Sequence, residues 1–70
     1  MRRYKIDVQV GRKIAFIRKR QKLSQEEAAE RTGVHLTTLG RIERGETNPP
    51  LRTLHKIAKA LKVHIRDFFY

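Results

Sequence analysis

The sequence contains no cysteine and no tryptophan, and only two prolines and four glycines in 70 residues. Without cysteine there is no disulfide scaffold, no thiolate zinc module and no cysteine nucleophile, and the chain suits a reducing compartment. His35, His55 and His64 lie too far apart for ligand spacing, so they read as caps or surface residues and no metal or other cofactor is expected. Long apolar runs are missing too: the basic start Met1-Arg2-Arg3 leads into no stretch of signal-peptide length, and nothing approaches the roughly 20 residues of a membrane span. The expectation is a soluble, cytoplasmic protein without membrane or small-molecule partners. No paired nucleophile and base is visible, which argues against an enzyme.

Acids are the other scarcity. Seven Asp and Glu face 17 Lys and Arg, giving a formal charge of +10 and a pI near 11.0. Such a field concentrates polyanions, of which nucleic acid is the commonest in a cell. The charge is unevenly placed: residues 1–23 carry +8, residues 24–50 carry −2 and residues 51–70 carry +4. The middle third cannot hold phosphate by net charge, so any contact it makes depends on particular side chains.

Seventy residues suffice for one domain, 1–70, with a core near the lower limit of size. Helical periodicity dominates it. Val10, Ile14 and Ile17 form one stripe, which predicts a helix from about Val8 to Lys22 with Asp7 as its cap. Tyr4, Ile6, Val8 and Val10 also alternate as a strand would, so an extended arm over residues 1–7 is an alternative to an early helix start. Ser24-Gln25-Glu26-Glu27 is a capping box that opens a short second helix, and Gly33 closes it at Arg31 or Thr32. A third helix runs from about Leu36 to Arg44 and ends at Gly45. Gly40 sits in its middle, at a cost of about 1 kcal/mol relative to alanine. Thr47-Asn48-Pro49-Pro50 is a loop. The fourth helix turns Leu51, Leu54, Ile57, Ala58 and Leu61 inward, and Val63 to Phe69 predicts a short fifth helix with His64 as cap and Asp67 in the carboxylate position of a box.

Two short helices joined by a glycine-containing turn, about residues 24–44, match the helix-turn-helix, whose second helix lies in the DNA major groove. The wider order of signals resembles the Cro/C1-type (XRE) helix-turn-helix family of bacterial and phage repressors, from about Val10 to Phe69. Arg18, Leu23, Ser24-Gln25, Gly33-Val34, Arg41-Ile42-Glu43 with Gly45, Asn48-Pro49, Leu51, Thr53-Leu54 and Ile57 to Leu61 carry the resemblance. It implies an all-α, compact, five-helix, lambda-repressor-like fold. The sequence departs from the pattern at Lys22, where glycine is common, Ala28, where leucine is common, Pro50, where Ser or Thr often caps, and His64, where Ser or Asp often caps.

The resemblance also implies roles. Gln25 matches a glutamine that contacts phosphate and braces the reading helix, and His35 takes the place of its Ser or Thr cap. Leu36, Thr37, Gly40 and Arg41 fall on the groove-facing side, whereas Leu39 and Ile42 match the buried side. Arg18 and Glu43 match a partly buried structural ion pair. Chemically, Arg41 can donate two bonds to guanine, Thr37 and Thr38 can reach a base edge or a phosphate, and Leu36 can pack on a thymine methyl. A missing side chain at Gly40 would let the backbone approach the bases, or would relieve crowding against a neighbour. Arg44, Asn48 and Arg52 flank the following loop and are expected to hold phosphate.

Some of Phe68, Phe69 and Tyr70 are expected to pack inside, but with the off-stripe Phe16 they exceed what a small core needs and suggest a two-fold dimer patch built from the first and fifth helices. The overall expectation is a homodimeric, sequence-specific regulator of transcription that binds double-stranded DNA. Family and size suggest a phage-type repressor or a restriction-modification controller. The rival is an antitoxin-like module whose chief partner is a toxin, with DNA contact secondary.

Overall fold

Helix ends, more than helix interiors, set the course of this chain. In the computed structural model, which describes residues 4–70, there are four α-helices. They are α1 (Lys5–Arg20), α2 (Gln25–Thr32), α3 (Leu36–Glu43) and α4 (Leu51–Ala60), and a single 3₁₀ turn (Ile65–Phe68) follows. The predicted capping box is present: the Ser24 hydroxyl accepts from the Glu27 N–H at 3.0 Å, and the Glu27 carboxylate accepts from the Ser24 N–H at 2.8 Å.

Three helices stop in the same way. After α1, α3 and α4 one residue turns left-handed, at Lys22, Gly45 and Lys62. The next N–H then reaches back to a carbonyl of the last turn: Leu23 to Arg18, Glu46 to Arg41 and Val63 to Ala58, at 2.9 to 3.2 Å. This pairing satisfies carbonyls that a bare helix end would leave open.

The core is built from Val10 and Ile14 of α1, Leu39 and Ile42 of α3, and Leu54, Ile57 and Ala58 of α4, closed by Leu61 and Phe68. Contacts run from α1 to α3 and the 3₁₀ turn, and from α2 to α3 and α4. At the α1–α3 crossing the backbones nearly touch. A Cβ on Gly11 would lie 2.1 Å from the Ile42 carbonyl oxygen, and one on Gly45 would lie 2.8 Å from Val8.

Several sequence expectations are corrected here. The first helix begins at Lys5, preceded by Tyr4 as its cap, so residues 5–7 are helical and Asp7 stands in the first turn. Val8 is held against Gly45, which ties this turn to the exit of α3. Residues 1–3 of the expected arm lie outside the described residues. The fifth helix is a 3₁₀ turn of four residues, entered through an Asp67 carboxylate that accepts from the His64 N–H at 3.0 Å. Leu51 does not face inward: it is 72% exposed, because the first residue of α4 stands clear of the elements on which the helix packs. Phe68 is fully buried, because the 3₁₀ turn directs it between α1 and α4, and so it cannot belong to a dimer patch.

Candidate nucleic-acid interface

The orientation of α3 rests on one buried carboxylate. Glu43 Oε2 accepts from Arg18 Nε at 2.7 Å, and its Oε1 accepts from Arg18 Nη2 at 3.0 Å and Gln25 Nε2 at 2.9 Å. Arg18 also donates through Nη1 to the Leu23 carbonyl at 2.7 Å. Three helices therefore meet on Glu43: Arg18 comes from α1 and Gln25 from the start of α2. A carboxylate held in this bidentate way by an arginine has its lone pairs taken up by fixed donors, which suits a strut. Gln25 thus braces α3 with one of the two hydrogens on its side-chain nitrogen and keeps the other.

At the other end of α3, His35 is the cap. Its Nδ1 accepts from the Thr37 N–H at 3.3 Å. Leu39, Gly40, Ile42 and Glu43 are buried, while Thr37, Thr38 and Arg41 are exposed. Rotation of 100° per residue sets these three on the side opposite the buried seam. Leu36 lies at the edge of that face, 40% exposed. No ion pair among the described residues engages Arg41, so its guanidinium remains available for a fork of two hydrogen bonds.

Gly40 is not part of the outward face. It is buried, and a Cβ there would meet Arg44 Nη1 at 3.1 Å and Gln25 Oε1 at 3.8 Å. The glycine therefore makes room for neighbouring side chains and does not bare the helix backbone. Arg44 itself is bound to Glu46, at 2.8 Å through Nε and 3.4 Å through Nη2. That hydrogen bond raises its pKa above the ordinary arginine value. A phosphate at Arg44 would have to compete with Glu46. Asn48, on the loop, and Arg52, in the first turn of α4, are exposed.

The C-terminal aromatics divide among three places. Phe68 is in the core, Phe69 is half-buried beside Tyr4, Ile6 and Leu51, and Tyr70 shares an open groove with Phe16 on α1. Tyr4, Ile6 and Leu51 are exposed apolar residues that the sequence reasoning missed as a surface. The alternation of Tyr4 and Ile6 suggests an arm, and the periodicity of α4 suggests a core position for Leu51. Tyr4 lies off the Val10, Ile14 and Ile17 stripe, whereas Ile6 continues it one turn before Val10 and gives no signal of its exposure.

Among the described residues no helix is long and apolar enough to cross a membrane, and no group of His, Cys, Asp and Glu could hold a metal ion.

The helix-turn-helix family pattern matches residues 14–68. An uncharacterised HTH-type transcriptional regulator of Methanothermobacter thermautotrophicus is 47% identical over 53 residues, covering 74% of this chain and 77% of that protein. Among solved structures, the restriction-modification controller protein C.AhdI from Aeromonas hydrophila is 33% identical with a TM-score of 0.91, over 94% of this chain and 100% of the other. The biofilm regulator SinR, solved in complex with DNA, is 34% identical with a TM-score of 0.82, over 87% of this chain and 98% of the other. Some members are longer, and the chain spans only 36% of a regulator from Vibrio cholerae. With the sequence pattern, the capped turn between α2 and α3 and the overall superposition in agreement, the chain belongs to the helix-turn-helix family, of the Cro/C1 (XRE) type.

Proposed function

We propose that this protein is a DNA-binding transcriptional regulator that lays α3 in the major groove and acts as a homodimer on a near-palindromic operator. One observation carries the reading: α3 is locked from behind by the Arg18–Glu43–Gln25 cluster, while Thr37, Thr38 and Arg41 are presented outward. A rigid helix with a polar outer face is what base readout requires, since misplacement of the donors would erase discrimination. The DNA-bound relative SinR supports the same class of ligand.

In this reading Arg41 reads guanine, Thr37 and Thr38 contact base edges or phosphate, and Leu36 packs at the rim of the groove. Gln25, His35, Asn48 and Arg52 hold the phosphate backbone. Arg44 contributes after release from Glu46, and Gly40 contributes by letting Gln25 and Arg44 lie close. The apolar surface of Tyr4, Ile6, Leu51 and Phe69 is the dimer patch, and it replaces the expected cluster of Phe16, Phe68, Phe69 and Tyr70. Two copies would set their α3 helices about one helical turn apart, roughly 34 Å. Promoter occupancy by such a dimer blocks polymerase and makes the protein a repressor.

The test is selection of binding sites from a randomised duplex pool, followed by titration of the selected site across salt. The expected slope of log affinity against log salt is about −0.9 for each phosphate neutralised. Arg41→Ala should lose about 1 to 3 kcal/mol of preference for the selected site, while Arg52→Ala should weaken all duplexes alike. Equal, sequence-blind losses from both variants reject the assignment. Leu51→Asp should shift the sedimenting species to a monomer.

A further inference from the structure

The outer side of α1 carries a feature that DNA reading does not use. Gly11 lies against the Ile42 and Glu43 backbone, which fixes the inward side of the helix. On the opposite side a shallow open groove is lined by Val8, Phe16 and Tyr70 and rimmed by Lys5, Arg12 and Lys13. Phe16 is 53% exposed in the middle of a well-formed helix, where burial was available to its neighbour Ile14. The groove wall is tied down: Gln9 donates to the Phe69 carbonyl at 3.1 Å, and Lys13 donates to the Tyr70 carbonyl.

We propose that this groove docks an acidic, amphipathic helical segment of a second protein. An apolar floor between cationic rims matches a helix that alternates apolar residues with Asp and Glu at spacings of three and four. Charge complementarity selects this occupant over a second copy of the chain. A two-fold pairing through this face would set Lys5, Arg12 and Lys13 against their own equivalents. A second copy also brings few carboxylates, because Glu27, Glu43, Glu46 and Asp67 are already engaged by Ser24, Arg18, Arg44 and the His64 N–H. Nucleic acid is disfavoured by the aromatic itself: the Arg20 guanidinium lies over one face of the Phe16 ring, 5.7 Å from its centroid, which leaves a base one face instead of two.

The test uses the full chain and fluorescence anisotropy. The probe is a designed peptide of about four helical turns with leucine along one stripe and glutamate elsewhere. Its controls are a scrambled peptide of the same composition and a single-stranded DNA. The designed peptide should bind about tenfold more tightly than the scrambled one, and both Phe16→Ser and Arg12→Glu should weaken it about tenfold. Phe16→Ser should leave circular dichroism and duplex-DNA affinity unchanged, which separates this proposal from the reading of α3. Equal binding of the scrambled peptide, or insensitivity to Phe16→Ser, would mean a mere charge field and would overturn the proposal. A Phe16-dependent affinity for the single strand exceeding that for the peptide would overturn it in favour of nucleic acid. A Phe16→Ser variant that sediments as monomer, where the parent chain sediments as dimer, would assign the groove to a second copy and overturn it likewise.

Discussion

Gln25 and Arg18 share one acceptor: the Gln25 amide nitrogen and Arg18 Nη2 lie 2.9 and 3.0 Å from Glu43 Oε1. Both bonds join different helices across the turns between them, so the angle between α2 and α3 is set by side chains that originate on three helices. Removing the carboxylate leaves the Arg18 guanidinium, itself only 7% exposed, without a counter-charge. Glu43→Ala should cost about 3 to 5 kcal/mol, a large share of the total for a domain of this size. The paired replacement Arg18→Met with Glu43→Leu should recover most of that loss, because burial then carries no charge. Urea titration followed by circular dichroism measures both. A double variant as unstable as the single one would show that the carboxylate does more than neutralise Arg18.

Two helical glycines should respond to alanine with opposite signs. At Gly11 the new methyl would lie 2.1 Å from a backbone oxygen of α3, and neither helix can yield cheaply. Gly11→Ala should destabilise by about 2 to 3 kcal/mol or more. At Gly40 the nearest atom is the far end of the flexible Arg44 side chain, at 3.1 Å. There the gain in helix propensity, about 1 kcal/mol, should dominate. Thermal midpoints of the two variants check the signs, and a destabilised Gly40→Ala would mean that Arg44 cannot move aside.

Lys22 and Lys62 both adopt a φ of 60°, a conformation that a side chain with a Cβ disfavours. Lys22→Gly should therefore raise stability by about 0.5 to 1 kcal/mol, after allowance for the greater freedom of glycine in the unfolded chain. Lys62→Gly should do the same at the end of α4. Denaturant midpoints that rise without a change in slope would support this account, and lowered midpoints in both variants would refute it.

The capping box makes α2 sensitive to acid. Hydrogen bonds from the Ser24 backbone and then its side chain, with a smaller contribution from Arg31, hold the Glu27 carboxyl below the usual glutamate value. A folded pKa below the unfolded one means that the stabilisation is complete above the ordinary value, about 4.3, and fades as pH falls through the depressed one. Between about pH 6 and pH 3 the difference in melting temperature between the parent chain and Glu27→Gln should narrow toward zero. A difference constant across that window would show that the charge on Glu27 contributes nothing.

Much of this molecule was readable from local chemistry. The Ser24–Glu27 box and the Gly33 stop are each set by residues within one or two turns, and the structure shows them where the spacing predicts; the His35 cap and the buried pair Leu39 and Ile42 stand where the family resemblance implies them. The readings that failed depend on partners distant in sequence. Whether Leu51 faces in or out depends on where α4 meets the 3₁₀ turn, and the burial of Phe68 depends on a gap between α1 and α4. At Gly40 the sequence leaves two readings open, approach to the bases and relief of crowding, and the Arg44 and Gln25 side chains beside it support the second. Gly11 gave no signal at all, since a close crossing of two backbones leaves no mark on either segment alone. At the interface the exposed positions of α3 were legible, whereas the pairing of Arg44 with Glu46 became evident only once the loop had a shape.

Because Glu43 secures α3 from its hidden side, no hydrogen bond or ion pair among the described residues rests on the Thr37, Thr38 or Arg41 side chains. They can be exchanged like the teeth of a key whose shank is left untouched. If α3 reads DNA as proposed, substitution at these three positions would change operator preference with little penalty in folding, a short evolutionary route to separate targets.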